Sequence, residues 1–155
     1  NTASMAGLVT MPNMGVYNVS KHAVVALTET LYQDLRLVTD QIGASVLCPY
    51  FVATGIAHSE RNRPAAMQGA PVTASQRIGQ AMMDKAVASG KVSAADVAAR
   101  VFEAVAQDHF YVYSHPRALE SVAQRMQAIV GGGNPPNPFA ERPAVGEQLK
   151  NALRE

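Results

Sequence analysis

Tyr17 and Lys21 stand four residues apart, a spacing that puts both side chains on one helix face, one turn from each other. An unperturbed phenol has a pKa of about 10, too high to exchange protons well at neutral pH. A neighbouring ammonium favours the phenolate, and the positive end of a helix acts in the same direction. Such a pair on the first turns of a helix can serve as a general acid and base. Alone it is a weak signal, because two common residue types at helical spacing also describe a solvated surface pair. Ser4 strengthens it, standing thirteen residues before Tyr17 where the strand-like run Asn1-Thr2-Ala3 ends. Its hydroxyl can point at the same spot. The loop between carries Gly7, Pro12, Asn13 and Gly15, the turn formers that a chain returning to one cleft requires.

Elements on either side must hold these groups in place. The stretch from Val16 to Val38 predicts a long helix, with Val24, Leu27, Leu31, Leu35 and Val38 as one continuous apolar stripe. Its first half, around Ala23 to Leu27, is apolar nearly all round. Packing on more than one side is expected, by its own sheet and by a second subunit. Gly43 suits the turn that follows. The run Ala44 to Cys48 then predicts a strand covered on both faces, ended by Pro49. Residues 54–75 are polar and irregular, a length that suits a functional lid as well as a solvated loop. A helix from Ala74 to Ser89 is closed by Gly90. Ser93 and Asp96 form a capping-box pattern opening a helix with Val97, Val101 and Val105 on one face. Phe110 to Tyr113 predicts a second clear strand. Pro116 suits the first turn of a helix carrying Leu119, Val122, Met126 and Ile129 inward. Gly131 to Pro136 breaks it, and the Pro-rich tail holds at most a short helix from Val145 to Leu153.

This alternation implies an α/β fold with a parallel sheet and helices on both faces. About three strands is few for that architecture, so the chain is expected to open in the middle of a larger domain. Composition supports a globular chain: of 155 residues, 48% are apolar and 16% charged. A formal charge of +1 and no cationic cluster give no reason to expect nucleic acid. No apolar run reaches the roughly 18 residues that cross a bilayer. The single cysteine, Cys48, allows no internal disulfide and fits a cytoplasmic location. His22, His58, His109 and His115 lack metal-ligand spacing, so no metal is expected.

Ser4 followed by Tyr17-Asn18-Val19-Ser20-Lys21 resembles, in type and spacing, the Ser…Tyr-x-x-x-Lys site of the short-chain dehydrogenase/reductase family. Twenty-eight residues beyond Lys21, Pro49-Tyr50-Phe51-Val52-Ala53-Thr54 is similar to that family's Pro-Gly-x-Val-x-Thr segment. The resemblance runs from Asn1 to about Gly133. It implies the C-terminal part of a Rossmann-like, doubly wound parallel sheet over residues 1–133, with 134–155 as a tail. It implies Ser4, Tyr17 and Lys21 as the catalytic residues of an NAD(P)-dependent oxidoreductase interconverting a secondary alcohol and a ketone. Tyr17, Lys21, Pro49, Val52 and Thr54 would meet NADP or NAD. Met5, Met11 and Tyr50 would line the substrate, and the 16–38 helix would pair subunits into a homodimer or homotetramer.

The chain departs from the family in two places. Tyr50 stands where the family most often has Gly, which would narrow the nicotinamide pocket or line the cleft. No Gly-rich phosphate loop joins a strand to a helix; the run Gly131 to Gly133 follows a helix instead. The family's glycine motif and relay Asn would lie upstream, and the 155 residues alone are expected to be inactive. Two other readings stand beside the enzyme: a dinucleotide-binding regulator without catalysis, and an inactive partial domain.

Overall fold

Asn1, Leu47 and Val112 mark three neighbouring extended segments that run parallel, and these carry the first of two compact units. The computed structural model describes residues 1–67, 69 and 71–154. Strand β1 (Val46–Cys48) pairs with β2 (Tyr111–Tyr113) in the register Val46 to Tyr111 and Cys48 to Tyr113. On its other side Thr2 bridges Leu47, sealed by Leu47 N–H to the Asn1 carbonyl (2.9 Å) and Ala3 N–H to the Leu47 carbonyl (2.8 Å). β1 is therefore bonded on both edges, and Val46 and Cys48 are wholly buried. This unit comprises Asn1–Tyr50 and Val92–Pro136.

Helix α1 (Gly15–Val38) follows a short 3-10 turn at Met5–Gly7 and packs directly against it. The apolar stripe is not the face that α1 buries most deeply, though its Val24 packs against the core. Asn18, Val25 and Thr28 are its buried residues, whereas Leu27 is 66% and Val38 79% exposed. Thr28 is tolerated inside because its hydroxyl is bonded there. The Thr28 hydroxyl donates to the Val24 carbonyl (2.6 Å) and accepts from Asn1 Nδ2 (3.0 Å). Val25 joins Ala3, Met5, Leu8, Val46 and Cys48 in the core, with Val24, Phe110, Tyr113, Ala118 and Val122 packed around them. Toward the end of α1, Tyr32 meets Phe110 edge-on at 5.1 Å, and Arg36 pairs with Asp108 at 3.0 Å. These contacts tie the helix to the entry of β2.

Helix α3 (Ala94–Ala106) packs on β2 and opens with the Ser93–Asp96 capping box, both arms of which are formed. Val97 is buried, but Val105 is 62% exposed, so the predicted Val97–Val101–Val105 face is only half inside. A 3-10 turn at Pro116–Ala118 leads into α4 (Leu119–Val130); Val122 reaches the core while Met126 and Ile129 face outward.

The second unit joins Phe51–Lys91 to Asn137–Glu155. It holds 3-10 turns at Gly55–Asn62 and Ala65–Met67 and two helices, α2 (Ala74–Ala88) and α5 (Pro143–Arg154), which pack on each other. Val87 and Leu149 are its buried apolar side chains among the described residues. The tail expected to hold at most a short helix thus carries a 12-residue one. No helix of the described residues is long and apolar enough to cross a membrane.

Candidate active site

The loop from Ser4 to Gly15 and the first turns of α1 meet at the carboxyl end of β1, where open parallel sheets bind their ligands. Met5 N–H donates to the Pro49 carbonyl (2.9 Å), so the segment after Thr2 runs on alongside the residue that ends β1. Ser4 Oγ accepts from Ala6 N–H (3.1 Å), capping the 3-10 turn, and donates to the Pro49 carbonyl (3.4 Å). Gly7 presses this turn onto α1. A Cβ there would lie 2.6 Å from the Lys21 carbonyl oxygen. Ser4 is held by the same turn that lies against the backbone of Lys21.

Tyr17 and Lys21 lie one turn apart on α1, with Lys21 Nζ 5.6 Å from the centre of the Tyr17 ring. The ammonium also donates to the Thr2 carbonyl at 3.4 Å, which ties the helix to the first extended segment. One of its three donors is thereby used. Both side chains are half-buried, so each keeps access to a ligand. Cys48 is sealed in β1, and burial pushes its thiol up from 9.0 to about 11.

Other predicted residues take different places. Met5 is 2% exposed and belongs to the hydrophobic core, not to a cleft wall; the 3-10 turn that displays Ser4 folds Met5 inward. Met11 is half-buried in the loop before α1. Tyr50, 46% exposed, is anchored from β2's end. Its N–H donates to Ser114 Oγ (2.8 Å), its ring meets His115 edge-on at 5.7 Å, and Ser114 Oγ lies 2.8 Å from His115 Nδ1. Burial, then the nearby Arg100 charge, holds the His115 imidazole below its ordinary pKa. Val52 and Thr54 belong to the second unit. There Thr54 Oγ1 accepts from Ile56 N–H (3.4 Å) and caps the turn at Gly55–Asn62. Gly90 approaches the same segment closely, since a Cβ there would lie 2.8 Å from the Phe51 carbonyl oxygen.

Sequence reasoning missed Asn18, Ser114 and Arg125 as positioning groups, and read Gly7 only as a turn former. Arg125 Nη1 donates to the Leu8 carbonyl (3.3 Å) across 117 residues, a pairing no local pattern announces. Asn18 carried a signal in hindsight: a polar residue on the face of α1 shared with Val25. Among the described residues, no group of three or more His, Cys, Asp or Glu could hold a metal ion.

A small parallel sheet with flanking helices is a Rossmann-like α/β fold. The chain belongs to the short-chain dehydrogenase/reductase family, whose short chain dehydrogenase model matches residues 1–65. It is 35% identical over 139 residues to the CLA biosynthesis dehydrogenase/reductase of Lactiplantibacillus plantarum, covering 87% of this chain and 48% of that protein. It is also 35% identical over 118 residues to the 1-deoxy-11-beta-hydroxypentalenate dehydrogenase of Streptomyces exfoliatus, covering 76% of this chain and 35% of the relative. A crystal structure of a short chain dehydrogenase/reductase from Burkholderia phymatum in complex with NAD superposes with a TM-score of 0.87 at 50% identity. That match covers 90% of this chain and 50% of the other. The chain thus spans half or less of the length of these relatives.

Proposed function

We propose that this chain is the catalytic half of an NAD(P)-dependent oxidoreductase that interconverts a secondary alcohol and a ketone. The observation that carries the reading is the Lys21 ammonium 5.6 Å from the Tyr17 ring, beside the turn that holds Ser4. The donor set fits the nicotinamide–ribose half of a dinucleotide. Lys21 and Tyr17 offer hydroxyl-binding groups for the ribose, and the likeness of Pro49 to Thr54 to the family's Pro-Gly-x-Val-x-Thr segment is what assigns the carboxamide to Pro49, Val52 and Thr54.

Ser4 donates a hydrogen bond to the substrate oxygen and fixes the carbonyl. Tyr17 gives that oxygen its phenolic proton in reduction and takes it back in oxidation, with the Lys21 ammonium beside the ring. When bound, the nicotinamide supplies or accepts the hydride. Met11 and Tyr50 form apolar walls for the substrate. The enzyme works in the cytoplasm as a homodimer or homotetramer, a reading supported by the outer face of α1, where Val16, Val19, Leu27 and Leu31 are all exposed.

The test is turnover by the complete protein on a panel of secondary alcohols and ketones with NADH and NADPH. Activity on at least one pair is expected. Tight dinucleotide binding without any turnover would contradict the enzyme and favour a regulator.

A further inference from the structure

One side chain grips the loop between Ser4 and Tyr17 without any part in proton transfer. Asn18, 7% exposed, donates from Nδ2 to the Met11 carbonyl at 3.1 Å. Its backbone N–H donates to the Met14 carbonyl at 2.7 Å. One residue therefore closes both ends of the Met11–Met14 turn. The turn needs closing, because Asn13 at its centre sits in the left-handed region, at φ +60°. Asn18 is also the residue after Tyr17, so the turn and the phenol are registered to each other through one backbone step.

The burial of Asn18 is not simply favourable. Its Oδ1 has no hydrogen-bond partner among the described residues, and an unpaired buried acceptor is destabilising. A leucine of similar size would avoid that cost. What leucine cannot supply is the Nδ2 donor to Met11. The two methionines flanking the turn are half-buried, and their unbranched thioethers adapt to irregular apolar shapes.

We propose that Asn18 is a positioning residue that fixes the Met11–Met14 turn beside Tyr17, and thereby sets how bulky an apolar substituent the substrate carries next to its reacting carbon. The specificity half of this inference rests on the oxidoreductase reading; the positioning half does not. The turn in its clamped position limits the apolar space, and releasing it lets larger groups in.

The experiment uses the complete protein as wild type and Asn18→Leu, with two readouts. Hydrogen–deuterium exchange without substrate is followed over residues 9–16, and kcat and KM are measured for a small ketone and for a bulky apolar one. Loss of one hydrogen bond raises exchange in that segment about three- to tenfold. The ratio of kcat/KM for bulky over small ketone shifts by a similar factor, mainly through KM, while the pH profile of kcat keeps its shape. Asn18→Ser, too short to span to the Met11 carbonyl, gives the same readouts if Asn18→Leu does not fold. Unchanged exchange overturns the positioning role. Raised exchange with an unchanged substrate ratio overturns the specificity role. A wild type with no turnover on any carbonyl overturns the oxidoreductase reading and the specificity role with it, while exchange still decides the positioning.

Discussion

A Cβ on Gly7 would lie 2.6 Å from the Lys21 carbonyl oxygen and 2.9 Å from Val25 Cγ2, so the Ser4 turn reaches α1 only because residue 7 has no side chain. Two of the atoms it would meet are helix backbone and cannot rotate away. Gly7→Ala is therefore expected to destabilise the complete protein by about 1–3 kcal/mol, the usual cost of overpacking, measured by urea denaturation. It would also displace Ser4 and lower activity; a variant as stable and active as wild type would contradict the close approach. Cys48 offers a second test at this scale. Its thiol is pushed up to about 11, chiefly by burial. Above pH 9 an unfolded chain gives up this proton while the folded chain keeps it. The folded state then binds more protons, so stability falls as pH rises from 9 toward 11. Cys48→Ala is expected to make that fall shallower, and an identical slope in both proteins would count against the buried thiol. The placing of Tyr17 one helical turn from Lys21 was legible in their spacing, whereas the roles of Ser4, Tyr17 and Lys21 came from the family resemblance. Met5 was not, since proximity in sequence to Ser4 says nothing of which way a 3-10 turn points the next side chain.

Helix α1 was legible in extent but not in facing. Apolar periodicity picks the widest hydrophobic stripe, which on this helix includes Leu27, Leu31 and Val38 on its outside. The inner face is partly polar, with Asn18 and Thr28 made tolerable by bonds to Met11, Val24 and Asn1 that only the tertiary fold supplies. Local chemistry fared better. The Ser93–Asp96 capping box forms as its pattern predicts, while a second box at Thr73 and Gln76 opens α2 without having been singled out. The exposed outer face of α1 carries a prediction for the assembly. Leu27→Glu with Leu31→Glu is expected to convert the complete protein from a homo-oligomer to a monomer in light scattering, because two charges cannot be desolvated at an apolar helix pairing. A wild type already monomeric at micromolar concentration would contradict that assembly.

At the scale of the molecule, the alternation of strands and helices was enough to imply a parallel α/β sheet. The pairing of β1 with β2 across 62 intervening residues was not readable, because the register follows from backbone bonds such as Val46 N–H to the Phe110 carbonyl. The division into two units was equally hidden, since Phe51–Lys91 finds its packing partner in the distant segment Asn137–Glu155. What ties these levels together is the claim that Tyr17 moves a proton with Lys21 beside it. The most direct measurement is kcat of the complete protein as wild type, Tyr17→Phe and Lys21→Met on one ketone substrate. Tyr17→Phe is expected to lose about 10²- to 10⁴-fold in kcat with cofactor affinity little changed. Lys21→Met is expected to lose both kcat and cofactor affinity. Turnover by Tyr17→Phe at the wild-type rate would contradict the account.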